Sequence, residues 1–530
     1  MSEEPERAIA SPASFYHARS KECIGNGTFA SRSYGAGEQI TALKRPLVGS
    51  LDTGRLRDTC ANCYVWTEGS SIGSRLYVKE GTKVQVCAGC KRFRYCSLVC
   101  QKEAWKRGHK HECKALKPIS DREIPKAVLA TMEILIRRKH GLIPDEIWQM
   151  LCQLGSHIED FKQNGKYGGI ELMAMGTSQF SWTQDTFNKD FVAGMYARVL
   201  TNSMTLVTPT FDPLGIIIDP ILGHINHSCA PNAYIVMDGA EAAVRTLRPI
   251  KKNEEIFISY IDSTNPRARR QSELEARWFF ACQCSKCQKG APLDEDKWAV
   301  EPLNIPKKWK KLADEMIDIG EEWAISPANH VGDTRDDKRL AAIQGRAFQD
   351  YEEEQGIAVP EDAIKKIEDD MRLCSQSGLW PIHRQPYAAL RDDLIVNMLA
   401  VGNYENAWAQ CAKRYRYILP KLYPQIHHPV RVVQTWQTAM LALHIAGEPT
   451  SMALPGVDMS YIAFMLVLEV LHASRLSHGE HSSFARSVQG KYEEMAAVFK
   501  TKLGPKADEV MAKEMPQQRA YLMEMGTWVE

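Results

Sequence analysis

Hydrophobic and polar positions divide the chain into stretches with two different periods. From about Phe15 to Val48, short extended runs alternate with glycine pairs. Gly25-Asn26-Gly27 is hairpin chemistry, because these residues tolerate the positive φ of a tight turn, and Gly35-Ala36-Gly37 marks a second turn. From Ile124 to about Gly155, and again from Thr186 to Leu200, apolar residues recur at helical spacing, as in Val128, Met132 and Ile136. Thr201-Asn202-Ser203 closes the second of these helices. The period then returns to two. Ile216, Ile218, Ile235 to Met237, Ala243 to Leu247 and Ile256 to Tyr260 read as short strands, with Asp238-Gly239 as a hairpin turn and 249–254 as the turn before the last strand. Arg267 to Arg277 is helical, and from about Leu293 to Glu530 the pattern is mostly helix. The prediction is an α+β multidomain chain with a helical insert between two strand blocks and a helical C-terminal region, preceded by a disordered stretch over residues 1–13.

Composition changes this picture little. A chain of 530 residues holds roughly three or four domain-sized units. A formal charge of +1 gives no overall pull toward nucleic acid or anionic membrane. The most apolar run, Tyr461 to Leu471, is too short to span a bilayer and carries Glu469. Met1 to Arg7 is polar and acidic, without the apolar centre of a signal peptide. Fifteen cysteines in such a chain are expected to be reduced thiols that ligate metal where they cluster. The expectation is an intracellular monomer, in the cytoplasm, the nucleus or both, and off the membrane.

The cysteines are where chemistry enters. Cys60-x2-Cys63, Cys87-x2-Cys90, Cys96-x3-Cys100 and His109-x3-Cys113 follow one another. Two-residue spacing lets one turn present both thiolates to an ion, and three-residue spacing puts two ligands on one helix face. Eight ligands make two closed tetrahedral sites, so the ions are structural zinc. The second half of the block is basic, with Lys91, Arg92, Arg94, Lys102, Lys106, Arg107, Lys110 and Lys114 against Glu103 and Glu112. This surplus suits either a solvated, charge-balancing face or a patch for acidic peptide or nucleic acid. Later, Cys282-x-Cys284-x2-Cys287 offers three ligands, one short of a tetrahedron. Cys23, Cys152, Cys374 and Cys411 read as small buried hydrophobes.

Between the two cysteine groups lies His224-Ile225-Asn226-His227-Ser228-Cys229-Ala230-Pro231-Asn232, followed by Glu254-Glu255-Ile256-Phe257-Ile258-Ser259-Tyr260. An Asn-His-Ser-Cys-x-Pro-Asn segment joined to a strand ending in tyrosine resembles the two signature motifs of SET-domain protein lysine methyltransferases. The flanking zinc-type cysteines, with Tyr95-Cys96, Gln101 and Trp105 resembling a MYND finger, narrow the resemblance to the SET-and-MYND family. Gly402-x-Tyr404-x2-Ala407 resembles one tetratricopeptide-type hairpin, although no clean repeat of about 34 residues follows. Residues 423–429, with His427 and His428, and His478-Gly479-Glu480-His481 are similar to landmarks of the family's C-terminal domain, and their histidines read as packing or capping residues. The resemblance therefore runs from near residue 15 to about residue 485. It implies a SET β-fold formed by 14–50 and 201–262, an inserted MYND zinc finger at 60–113, a helical insert at 114–200, a post-SET zinc segment at 263–290 and a helical, TPR-like C-terminal domain at 291–530.

The same resemblance implies an enzyme that uses S-adenosyl-L-methionine to methylate lysine side chains of histone or non-histone proteins. Tyr260 would be catalytic. Gly25, Asn26, Gly27, Asn202, Asn226, His227 and Phe280 would bind the donor, and Met204, Tyr260 and Trp278 would line the lysine channel. Family pairing would give three Zn2+ ions: one on Cys60, Cys63, Cys96 and Cys100, one on Cys87, Cys90, His109 and Cys113, and one on Cys229, Cys282, Cys284 and Cys287. Read without the resemblance, Asn26 is a turn residue, Asn202 a helix cap, Phe280 a core aromatic and Tyr260 a packed strand tyrosine. Four departures stand out. Trp278 replaces a tyrosine, Met204 replaces a phenylalanine, the span from Tyr64 to Val86 is long, and Trp105 lies one residue further than usual from His109. The last makes His111 a rival ligand, with the x3 spacing to Cys113 favouring His109. The competing reading is a catalytically weak MYND/TPR-type scaffold that recruits protein partners through its finger and C-terminal helices. A DNA-binding finger is disfavoured, because the closed ligand pattern lacks the helix spacing of groove-reading fingers.

Overall fold

The computed structural model describes residues 14–23, 25–67, 82–289, 337–376, 380–447 and 456–527. The stretch 1–13, the middle of the long span after Tyr64 and the start of the C-terminal region lie outside the described residues.

Twelve strands are named β1 (Phe15–Arg19), β2 (Asn26–Ala30), β3 (Gln39–Leu43), β4 (Val48–Leu51), β5 (Gln85–Val86), β6 (Arg94–Tyr95), β7 (Met204–Val207), β8 (Pro213–Ile218), β9 (Asn226–His227), β10 (Ala233–Asp238), β11 (Glu241–Thr246) and β12 (Glu255–Ile258). β5 and β6 pair with each other inside the finger, and the other ten form three small sheets that weave the two strand blocks together: β1-β2-β12-β9, β10-β11-β3 and β4-β8-β7. Each of these three sheets therefore holds strands from both sides of residues 60–200, so the finger and helices between them are an insertion into one β-fold. Gly239, with φ 60°, makes the β10–β11 turn foreseen from Asp238-Gly239. β9 is only two residues long and pairs parallel with β12, Asn226 opposite Phe257 and His227 opposite Ile258. No two-residue periodicity could have announced it.

Asn232 holds this crossing together. Its side-chain amide donates to Glu255 O (2.8 Å) and its carbonyl oxygen accepts from Phe257 N (2.8 Å), and the residue is fully buried. Each backbone group it satisfies would otherwise cost about 1–3 kcal/mol buried without a partner.

The helical pattern from Ile124 to Gly155 resolves into Lys126–Lys139 and Asp145–Gln153, separated at Gly141 (φ 67°) and Pro144. Two further helices, Ile158–Gln163 and Tyr167–Ser181, precede Lys189–Asn202. Strands, finger and insert share one hydrophobic core, and the C-terminal helices share a second. The most apolar of these, Met459–Ser474, continues through a π-turn to Gly479 and is thus longer than the run Tyr461 to Leu471 suggested. By length and composition alone it matches a membrane span. Here it is a core helix: Ile462, Ala463, Leu466 and Val467 are inaccessible, and Glu469 accepts a hydrogen bond from Tyr415 Oη (2.8 Å).

The two cores are joined by polar contacts. His427 Nε2 bonds Leu247 O (3.0 Å), His478 Nε2 bonds Pro209 O (3.1 Å), and Asp238 accepts from Ser483 N (2.8 Å). The histidines read as packing or capping residues thus fasten the C-terminal helices onto the strand fold.

Candidate active site

Three sets of four ligands stand ready for tetrahedral metal. Cys60, Cys63, Cys96 and Cys100 form one, Cys87, Cys90, His109 and Cys113 the second, and Cys229, Cys282, Cys284 and Cys287 the third, with the ligand atoms of each set within 4.8 Å of one another. This donor chemistry fits zinc: soft thiolates with at most one imidazole. In the first set hydrogen bonding from Cys63 holds the Cys60 thiol down to about 5, and in the third Cys229 and Cys282 hold Cys284 well below the usual thiol range. His109 turns Nδ1 to Glu112 (2.9 Å), the outer carboxylate that orients a ligating imidazole. His111 instead stacks on His140, ring centroids 3.5 Å apart, and takes no part in the second set.

The third set welds the end of the catalytic half to the Asn-His-Ser-Cys loop. Around it pack Leu274, Tyr260, Ile261, Trp278 and Phe280. Gln271 clasps Cys282 from both sides of its peptide, and Arg267 Nε donates to Cys287 O (3.0 Å).

His227 connects this set to Tyr260. Tyr260 N donates to His227 Nδ1 (3.0 Å), and His227 Nε2 lies 3.3 Å from Cys229 Sγ. Burial lowers the imidazole to about 4, so it is neutral at neutral pH. With Nδ1 accepting, the proton sits on Nε2 and is donated to the ligand sulfur. Both ring nitrogens are therefore committed, and only the His227 backbone is left for a donor molecule. We expect His227→Ala to weaken the third metal site about 10–100-fold. A chelator titration would see one ion lost early while the other two are retained. Loss of all three together would contradict this.

Tyr260 lies two residues beyond the end of β12. Its hydroxyl donates to Ile225 O (2.7 Å), and burial pushes its pKa well up, so it is a neutral donor. The ring lies 5.2 Å from that of His227 and 5.4 Å from that of Trp278. A cavity of about 440 Å³ opens here, lined at this end by Asn202, Met204, Ile258, Tyr260 and Trp278. Trp278 is braced from outside by Arg277, whose guanidinium lies 4.5 Å over the ring and donates to Ser203 O (2.8 Å).

On the other side of β9 lies the Gly25–Gly27 turn. Gly25 has φ 96°, and a Cβ on Gly27 would collide with the Glu255 carboxylate and Asn226 Nδ2. Asn226 Nδ2 donates to Asn26 O (3.1 Å) and Glu255 Oε1 (2.8 Å), leaving its Oδ1 without a partner among the described residues. Phe280 is half-exposed, with its ring 6.0 Å from that of His227. Glycine-lined backbone, a free amide oxygen and an exposed aromatic face suit an adenosyl ligand. Asn202 lines the cavity, but its amide nitrogen is 2.9 Å from both Gly155 O and Arg198 O, so it secures the helix end.

Sequence reasoning missed several supports. Glu255 is buried and holds Asn226 while accepting from Ser20 Oγ (2.8 Å). Phe279, left-handed at φ 58°, lets three consecutive aromatics face three surfaces: Trp278 toward Tyr260, Phe279 toward His157 and Phe161, Phe280 toward His227. The only signal for Phe279 was the aromatic run itself.

Comparison with known proteins adds to this geometry. Residues 25–261 match the SET domain family. The chain is similar to "SET domain and MYND-type zinc finger protein 6" of Schizosaccharomyces pombe, 33% identical over 55% of this chain and 56% of that protein. It is also similar to "N-lysine methyltransferase SMYD2" of Homo sapiens, 31% identical over 53% of this chain and 65% of that protein. A third relative, "Histone-lysine N-methyltransferase ASHR1" of Arabidopsis thaliana, is 27% identical over 89% of this chain and 94% of its own length. The matches to the first two thus span 56% and 65% of those relatives' lengths.

Proposed function

We propose that this chain, which belongs to the SET-and-MYND family, is a protein-lysine N-methyltransferase that uses S-adenosyl-L-methionine. The observation that carries the reading is that Tyr260, which lines the cavity, is bonded through its backbone to His227, whose ring in turn meets Cys229 of the third ligand set. The donor supplies a methyl group on a sulfonium sulfur. Gly25, Asn26, Gly27, Asn226, the His227 backbone and Phe280 are suited to hold it on one side of β9, and Met204, Tyr260 and Trp278 to admit a lysine from the other.

A free lysine has a pKa of about 10.4 and reacts only as the neutral amine. Met204, Ile258 and Trp278 give the channel apolar walls, and an apolar channel disfavours the ammonium, so that Nζ enters with its lone pair free. The Tyr260 hydroxyl, fixed by Ile225 O, orients that nitrogen in line with the methyl group. The N–C bond then forms as the S–C bond breaks, and the methylated ammonium loses its proton to solvent.

Trp278 sets the width of the channel. An indole braced by Arg277 leaves less room beside Nζ than a phenol, so monomethyllysine is the expected product. The test is mass spectrometry of a histone and peptide panel incubated with the purified protein and donor. The reading predicts addition of one methyl to lysine, and addition of up to three by Trp278→Ala. Donor binding without transfer to any substrate would support a scaffold instead, and trimethyl product from the unaltered protein would refute the narrow channel.

A further inference from the structure

The cavity does not end at the lysine channel. Past Met204 it continues to Phe211, Tyr234, Tyr423, His428 and Asp262, where the strand fold meets the C-terminal helices. About 440 Å³ lies within the range of ligand pockets and exceeds what one lysine side chain needs.

The rings at this outer end interlock. His428 lies 5.4 Å from Tyr234, edge to face, and 4.6 Å from Tyr423, while Phe211 lies 5.9 Å from Tyr234. The Tyr234 hydroxyl has no hydrogen-bond partner among the described residues, although burial and then the Asp262 charge push its pKa up and keep it protonated. Tyr234 is half-buried, so its hydroxyl lies in the cavity wall, open to a ligand that enters the outer end.

The sign of that ligand follows from the charges. Asp262 is exposed, and its Oδ1 accepts only from its own turn, Thr264 N (2.8 Å) and Oγ1 (2.6 Å). Among the described residues no cation pairs with it. His428 accepts from Val430 N at Nδ1 (3.3 Å), and burial followed by the neighbouring His427 lowers it to about 3, so it adds no positive charge. The other fixed charge on the cavity wall, Arg277, is at the far end over Trp278. The outer end therefore combines aromatic faces, an acceptor oxygen and one unneutralised carboxylate. Such a site attracts a cation and repels an anion.

We propose that Tyr234, Tyr423 and Asp262 form a second subsite, which holds a cationic side chain, arginine or lysine, close to the target lysine in the same peptide. The proposal rests on reading the inner end as the lysine channel. It makes the substrate class a lysine in a basic stretch rather than an isolated lysine.

The test measures binding, so that it does not depend on turnover. Fluorescein-labelled alanine–glycine peptides with one central lysine carry arginine, or its neutral isostere citrulline, at each flanking position in turn. Their affinity for the full-length protein with S-adenosylhomocysteine is read by anisotropy. At one or two positions arginine should bind about tenfold more tightly than citrulline. Asp262→Asn should bring that ratio to within about twofold, and Tyr234→Phe, which keeps the ring, should reduce it in part. Equal affinity for arginine and citrulline at every position, or an unchanged ratio in Asp262→Asn, overturns the subsite. A tight arginine peptide that is never methylated would instead count against the methyltransferase reading and leave the subsite standing.

Discussion

Tyr260→Phe is expected to lower methyl transfer at least about a hundredfold while leaving donor affinity nearly unchanged. The ring is held by packing against His227 and Trp278, and the backbone by the bond from Tyr260 N to His227 Nδ1. Neither depends on the hydroxyl. Removing that oxygen frees Ile225 O but leaves the channel shape intact, so the variant should fold and bind as before. What disappears is the hydroxyl proposed to orient Nζ. Single-turnover rates with a lysine peptide, beside calorimetric binding of S-adenosylhomocysteine, separate the two effects. A loss of less than about fivefold would reduce Tyr260 to a packed strand tyrosine.

Cys284→Ser should be equally damaging for a different reason. Cys229 and Cys284 belong to segments 55 residues apart in sequence, and one ion joins them. Site formation is coupled to folding, so an incomplete ligand set releases the segment as well as the metal. Phe280 and Trp278 pack on this set, so one lesion should open both the donor face and one wall of the channel. Zinc content should fall from three ions per chain to two, donor binding should weaken, and transfer should fall about a hundredfold or more. Retention of three ions with full activity would show that the third set is not a zinc clamp.

Much of this site was legible in sequence because its chemistry is carried by local spacing. Cys60-x2-Cys63 and Cys282-x-Cys284-x2-Cys287 announce ligands by themselves, and strands such as β10 and β11 by alternation around Asp238-Gly239. What stayed hidden depends on partners distant in the chain. Glu255 could not be recognised as the residue that holds Asn226, nor Asn232 as the pin between β12 and the loop that follows β9, because each acts across a pairing only the fold creates. The helix Tyr167–Ser181 escaped for another reason. Its start carries Gly168 and Gly169, and Leu172 and Met175 stay 64% and 60% exposed, so its apolar residues do not trace one buried face. His227 stood out by its motif, but a spacing argument could not tell that its two ring nitrogens are committed to Tyr260 N and Cys229 Sγ.

On the proposed reading, lysine enters through the cavity that Tyr260 lines and the donor approaches from the side of Asn226 and Gly27. A crystal structure of the protein with S-adenosylhomocysteine and a lysine peptide tests it most directly. The account predicts the lysine Nζ within hydrogen-bond reach of the Tyr260 hydroxyl, between Met204 and Trp278, with the donor sulfur facing it from the side of Asn226 and Gly27. A peptide lysine lodged elsewhere on the protein, or a donor bound away from Asn226, would contradict it.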